Sequence, residues 1–409
     1  MELTEGNVSK EALPAGTKVA PSSGAEAQQP WVRTFLGVIT ALFCTFASFG
    51  LVIPVIPRLV TEQLHGSPFE VGATFTVSGV VALLVRPYAG QVAQRRGSRP
   101  VMMLGALLII VVGALYALPL GLPGLLVARL VMGVGEAFLF TAGSVWTVSL
   151  TPPERRGQIV GFYGLAMWSG LTVGPVLGEV VFRTGSYTAV WILASALPAV
   201  AVVVLTLLPN SARLGTAVSG RLLPPSSVLP GLSLGCGAFG YAAVASFGAL
   251  SLTSRGIANG SLLLSLFSVA YVVVRLVAGR MPDRIGALPV IVVSASVEAI
   301  GMVLIAFAPS LWPAAVGALI AGGGFTLLYP ALALITIDTS PEAERGAALG
   351  AITSFFDIAV GIAGLLGGLL AEVSYTATFL LSAVAVLGSL FTGTVAARRR
   401  NKALGLPAR

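Results

Sequence analysis

The chain has 409 residues, of which 56% are hydrophobic and only 10% charged, with a net charge of +8 and a mean hydropathy of +0.93. Soluble globular chains carry about a quarter of their residues as charges, so composition excludes an ordinary water-soluble enzyme. Apolar blocks of about 20 residues recur almost end to end, which describes an all-α polytopic membrane protein.

Residues 1–33 mix Glu2, Glu5, Lys10, Glu11, Lys18 and Glu26 with Pro, Gly and Ser and lack an apolar core, so they read as a disordered cytoplasmic tail and not a secretory signal. Twelve blocks follow that can each cross roughly 30 Å of hydrocarbon. They are 35–56, 70–93, 99–119, 122–148, 157–181, 187–208, 229–253, 260–280, 286–308, 311–336, 346–371 and 375–397. The stretch 210–228, rich in Gly, Ser and Pro, is the expected cytoplasmic linker, and 398–409 is the expected basic cytoplasmic tail. Of the 24 Lys and Arg residues, 18 fall in the termini or even-numbered connections, and only Arg58, Arg183 and Arg255 in odd-numbered ones. The positive-inside rule therefore puts both termini in the cytoplasm of a multi-pass cell (inner) membrane protein. The net positive charge is topological, and no nucleic-acid partner is expected. Cys44 and Cys236 lie inside apolar blocks with no ligand-like spacing, so no disulfide, metal site or cofactor is expected.

Sliding the chain against itself by 189 residues aligns its halves. Val85-Arg86 and Ala89-Gly90, with Arg95 and Gly97, fall over Val274-Arg275 and Ala278-Gly279, with Arg284 and Gly286. Gly133 and Gly135 fall over Gly322 and Gly324, and Arg156-Gly157 over Arg345-Gly346. The reading is two pseudo-symmetric six-helix bundles in parallel orientation, 34–209 and 229–397, with the cargo site between them near the midplane.

Three motifs carry a resemblance to the major facilitator superfamily, in particular to its twelve-span drug:proton antiporter (efflux) branch. After span two the family reads Gly-x-x-x-Asp-Arg-x-Gly-Arg, and here Gly90, Gln94, Arg95, Gly97 and Ser98 stand in that place, without the acid. The second half keeps it as Gly279, Asp283, Arg284 and Gly286. The resemblance implies a cytoplasmic latch in which the acid caps a helix and pairs with an arginine. Span five holds Gly161, Gly170, Gly174, Pro175 and Gly178 at the spacing of the family's antiporter signature, with Glu179 where that signature ends in Gly. Small residues four apart let helices approach closely and Pro175 permits a bend, so this seam is the expected gate toward the outside and favours export. Span four carries Arg129, Gly133, Glu136 and Phe140 at helical spacing, and the resemblance implies that such an arginine assists proton exchange.

Ionisable groups at bilayer depth are expensive, about 2.5–3.5 kcal/mol each on insertion scales, so Arg86, Arg129, Glu136, Arg275, Glu298 and Asp357 need partners or a wet cavity. The single histidine, His65, lies in an external connection, which leaves carboxylates to carry protons. Glu136 and Asp357 rank above Glu298, because the resembled fold puts spans four and eleven beside the cavity and span nine at the periphery. Arg86 and Arg275 are expected gate elements that pair with a carboxylate or cap carbonyls, with a clamp for an anionic substrate as the alternative. Glu179 is read as snorkelling to water. Phe140, Trp168, Phe239, Tyr241, Tyr271, Tyr329 and Phe355 are the candidate cargo contacts.

The function these features favour is secondary, proton-coupled export of an amphipathic drug or natural product by a monomer, relevant to multidrug resistance. Proton-coupled uptake of a sugar or metabolite, and a non-transporting receptor or scaffold, are the alternatives. No catalytic constellation or nucleotide loop is present, so neither an enzyme nor an ATP-driven pump is expected. Arginine outnumbers lysine 21 to 3, which fits a GC-rich bacterial genome.

Overall fold

The computed structural model describes residues 29–150, 156–209, 223–341 and 344–405. The expected tail up to residue 28, the linker over 210–222 and residues 151–155, 342–343 and 406–409 lie outside the described residues.

All regular structure among the described residues is helical. The elements are α1 (Gln29–Val52), α2 (Val55–Arg58), α3 (Pro68–Arg96), α4 (Ser98–Ala117), α5 (Gly121–Leu150), α6 (Arg156–Thr184), α7 (Tyr187–Thr206) and α8 (Pro225–Ser254). They continue with α9 (Leu262–Ala278), α10 (Met281–Ile285), α11 (Ala287–Ala306), α12 (Leu311–Phe325), α13 (Leu328–Thr339), α14 (Arg345–Ala371) and α15 (Tyr375–Ala403). Eleven stretches among the described residues are long and apolar enough to cross a membrane, and the shorter apolar helix α9 stands where the eighth span is expected.

Local chemistry sets the boundaries. Span one stops being a regular α-helix at Val52 because Pro54 lacks an amide hydrogen; the chain resumes in α2 and a π-helical turn over Leu59–Gln63. Helix α3 starts with a capping box, Ser67 Oγ accepting from the Glu70 amide at 3.3 Å and Glu70 Oε2 from the Ser67 amide at 2.7 Å, and Pro68 fills the first turn. It ends at Gly97, whose φ of 93° only glycine adopts without strain. Span ten is interrupted after three consecutive glycines, Gly322 to Gly324, and is divided into α12 and α13. Three expected limits shift. Helix α1 begins at Gln29, inside the segment read as tail, and α8 begins at Pro225, inside the segment read as linker. Helix α15 runs past 397 to Ala403, because Arg400 meets an acid on α13: its Nε donates to Asp338 Oδ2 at 2.7 Å.

In the first half α1 packs on α6 and α7, α3 on α5, and α4 on α5 and α7; in the second, α8 packs on α14 and α15, α9 on α12, and α11 on α12 and α15. The α1–α6 contact is backbone against backbone. A β-carbon at Gly170 would sit 2.6 Å from the Phe43 carbonyl oxygen, and ones at Gly174 and Gly178 would collide with the carbonyls of Ala47 and Leu51. The halves meet where α3 lies along α14 and α6 along α9. Gly72 abuts the Gly364 backbone, Thr76 Oγ1 donates to the Gly361 carbonyl at 2.7 Å, and Thr172 Oγ1 to the Ser268 carbonyl at 3.2 Å.

Candidate functional site

Between the halves lies a cavity of about 310 Å³. Its wall runs from Ile53 and Phe75, toward the end of the bundle away from the termini, past Leu171 at the middle of α6, to Val148, Leu349 and Gly350 at the end that carries them. The contacts of α3 with α14 and of α6 with α9 named above close the former end.

Three arginines and two carboxylates line the wall: Arg86 on α3, Arg129 and Glu136 on α5, Arg275 on α9 and Asp357 on α14. Arg86 is shared. Its Nη2 lies 2.9 Å from Asp357 Oδ2 and 3.6 Å from Glu136 Oε1, and its guanidinium stands 4.8 Å above the Phe140 ring. One first-half cation thus holds an acid from each half, in surroundings dry enough for the attraction to matter. Arg129, 1% exposed, does not pair with Glu136: its Nε donates to the Thr74 carbonyl at 3.0 Å and its Nη1 to Met132 Sδ at 3.1 Å, over the Phe75 ring. Among the described residues Arg275 donates one long bond, 3.4 Å, to the Thr326 carbonyl at the break between α12 and α13.

Around these charges stand aromatic rings. Trp168 stacks on Tyr271 at 4.3 Å and presents edges to Tyr241, Phe325 and Phe356 at 5.6, 5.7 and 5.9 Å. Such pairs fix ring orientation as well as adding burial. Tyr163 donates to the Phe140 carbonyl at 2.6 Å and packs on the Phe140 ring.

Of the expected cargo residues, Phe140, Trp168, Tyr241, Tyr271 and Tyr329 line the cavity, and Phe239 and Phe355 do not. The reason is angular. The lining residues of α14 are Leu349, Gly350, Thr353, Phe356, Asp357 and Val360, a stripe at helical spacing that Phe355 misses by one position, turning instead to Gly231. On α8 the stripe passes through Leu234, Tyr241, Ala242 and Ala245, and Phe239 lies off it. Phe46, Phe49, Phe75, Tyr163, Phe325 and Phe356 also line the wall; the stripe through Asp357 on α14 identifies Phe356, Phe75 stands on α3 with Arg86, and the others stand on α1, α6 and α12, where no ionisable candidate marks the inward face.

Glu298 on α11 is fully buried but stands apart from the cavity, against Gly237 and Gly240 of α8, with no hydrogen-bond partner for either oxygen among the described residues. The motif after span two also differs from expectation. Arg95, Asp283 and Arg284 are exposed and none forms an ion pair among the described residues, while Gln94 Oε1 is buried without a hydrogen-bond partner. Gly90 faces Thr141, and Gly279 ends α9. Glu179 does not reach for water. It is 7% exposed and held between Arg58 at 3.1 Å and Arg183 at 2.6 Å, and Arg183 also donates to Asn259 Oδ1 in the second half. The turn after Pro54 brings Arg58 back onto α6 and so replaces solvent.

Membrane-spanning helices around a cavity with aromatic and ionisable walls define a multi-pass membrane protein whose site suits a small molecule. Residues 38–254 and 231–408 each match the Major Facilitator Superfamily, and the chain belongs to that family. It is a transporter of that family by kinship and not an enzyme. An uncharacterized MFS-type transporter of Escherichia coli (strain K12), YhhS, is 29% identical over 388 residues, covering 90% of this chain and 95% of its own. An uncharacterized MFS-type transporter of Salmonella typhimurium is 30% identical over 376 residues, covering 87% and 94%. Among solved structures, the nucleoside transporter NupG has a TM-score of 0.72 at 16% identity, covering 89% of this chain and 99% of its own. The human organic anion transporter MFSD10 has a TM-score of 0.70 at 18%, covering 90% and 100%. The Escherichia coli fucose:proton symporter FucP has a TM-score of 0.65 at 14%, covering 91% and 99%. At these identities the likeness is one of fold.

Proposed function

We propose that the chain is a secondary active exporter of the inner membrane, with both termini cytoplasmic, that exchanges protons for an amphipathic drug or natural product. Two pseudo-symmetric six-helix bundles, 34–209 and 229–397, rock about the central cavity as a monomer. The observation that carries this reading is the ion pair across the halves, Arg86 to Asp357, with Glu136 as the second claimant on the same guanidinium.

The chemistry follows from that sharing. A proton on Asp357 removes the charge that ties α14 to α3, while Glu136 keeps Arg86 compensated within its own half. Proton loading therefore weakens a contact between the halves without stranding a buried cation, which is what coupling to a conformational change requires. Arg129 and Glu298 are secondary participants at most, since neither contacts the shared pair. The glycine seam of Gly170, Gly174, Pro175 and Gly178, with the Glu179 ion pairs beside it, supports a gate at the end away from the termini, and hence export over uptake. Gly90, Gln94, Arg95, Gly279, Asp283 and Arg284 are assigned to the opposite gate.

The test is accumulation of fluorescent amphipathic compounds in cells with and without the protein, before and after collapse of the proton gradient. Expression lowers accumulation, collapse restores it, and Glu136→Gln or Asp357→Asn abolishes the difference. Accumulation that rises on expression reverses the direction to uptake, and wild-type rates from both variants remove the proton role.

A further inference from the structure

The repeat that relates the halves also shows where they differ. Arg86 and Arg275 are repeat mates, and both line the cavity. Arg86 has two carboxylates, Glu136 and Asp357. Moving 189 residues on from Glu136 gives Phe325, and moving 189 back from Asp357 gives Trp168. Both acids that hold one arginine are thus represented by aromatic rings around the other. Phe325 and Trp168 touch each other, at 5.7 Å between centroids, and line the same wall as Arg275.

Arg275 is therefore a cavity cation without a counter-ion. No carboxylate lies within ion-pair distance of it among the described residues. A guanidinium has five N–H donors, and the one hydrogen bond described for Arg275 is the 3.4 Å contact with a carbonyl. Arg129 differs in being sealed into the wall, with a carbonyl, a sulfur and a ring as partners. With both acids ionised the lining still has one positive charge in excess, and the group free to receive an anion is Arg275.

What would accompany that anion is set by the neighbours. Tyr271 lies one turn before Arg275 on α9, about 6 Å along the axis, and its ring is stacked by Trp168 at an interplanar angle of 25°. We propose that the cavity binds an amphipathic organic anion, its acid group on Arg275 and its planar apolar body against the Trp168–Tyr271–Phe325 rings. The pole around Arg86 is then left to protons. Cargo and proton occupy different arginines of one pseudo-symmetric pair, and the asymmetry of the repeat is the division of labour. The proposal rests on the proposed function only in taking this cavity as the cargo site.

The experiment measures binding of three probes with one ring system and different charge, 2-naphthoate, 2-naphthamide and 2-naphthylmethylammonium, to the full-length protein purified in detergent. The naphthoate binds at least about tenfold more tightly than the amide. Arg275→Gln abolishes that preference and Arg275→Lys keeps part of it. A wild-type melting temperature and gel-filtration profile of Arg275→Gln report that the variant is folded. Tightest binding of the ammonium probe, equal affinity for all three, absence of naphthoate binding at millimolar concentration, or a naphthoate preference that survives Arg275→Gln each overturns the proposal. Because binding in detergent needs no proton gradient, failure of proton coupling in cells leaves this result standing, and the reverse also holds.

Discussion

The sharing of Arg86 by two acids has an energetic signature that separates it from a simple ion pair. Consider Asp357→Asn and Glu136→Gln, singly and together. The side chains are 9–19% exposed and the closer contact is 2.9 Å, so screening by water is weak. In either single variant the remaining carboxylate keeps the guanidinium compensated. The cost is then that of losing one of two ion-pair attractions to the same cation, about 1 kcal/mol. In the double variant a buried cation has no anion, a loss of about 3–5 kcal/mol. The double effect thus exceeds the sum of the singles by at least about 1 kcal/mol. In thermal unfolding of the purified protein, each single variant melts about 2 °C below wild type and the double variant falls further than both drops combined. Additive shifts, or a double variant as stable as either single, would mean that the two acids do not compensate the same charge and would refute the shared-arginine argument.

Other outcomes follow from packing. Gly178→Ala drives a β-carbon into the Leu51 carbonyl and lowers stability by about 1–3 kcal/mol, whereas Gly164→Ala on the same helix meets nothing within 4 Å and leaves the melting temperature unchanged or higher; thermal unfolding of both variants checks the pair. Glu298→Met replaces a fully buried carboxyl that lacks hydrogen-bond partners with an apolar side chain of similar length, so it raises the melting temperature while leaving proton-driven transport at the wild-type rate. Glu179→Gln weakens the Arg58 and Arg183 contacts, so a cysteine at position 172, placed in a Cys44→Ser, Cys236→Ser background, reacts several-fold faster with a membrane-impermeant thiol reagent; an unchanged rate removes Glu179 from the closure of that end.

Hydropathy located the spans because length and apolarity are local properties, whereas Glu136, Asp357 and Glu298 all lie near mid-span, and only the resemblance, which puts spans four and eleven beside the cavity and span nine at the periphery, separated the first two from the third. Rotation about each helix axis is not local, and there the sequence was less informative. Phe355 and Phe356 are chemically alike and about 100° apart on a helix, and only the packing of α14 on α8 decides that the second one faces the cavity. The reading of Arg86 as an arginine that meets a carboxylate left open which one, since its partners come from helices 50 and 271 residues away in sequence. Glu179 was misread for a similar reason. Its distance from the end of its span suggested water, but the proline-bent segment that returns Arg58 to it is a feature of chain direction that no periodicity encodes.

The joints and the lining of this protein are made of different materials. Where helices approach most closely, at Gly170, Gly174 and Gly178 against α1 and at Gly72 against Gly364, the contacting surface is bare main chain. The wall that meets a guest is built from large side chains. Substitution can therefore reshape the wall, ring by ring, without touching the main-chain contacts that hold the helices against one another. Descendants of such a chain can change what they carry while inheriting the same machinery, and their kinship is better sought in the glycines than in the aromatics.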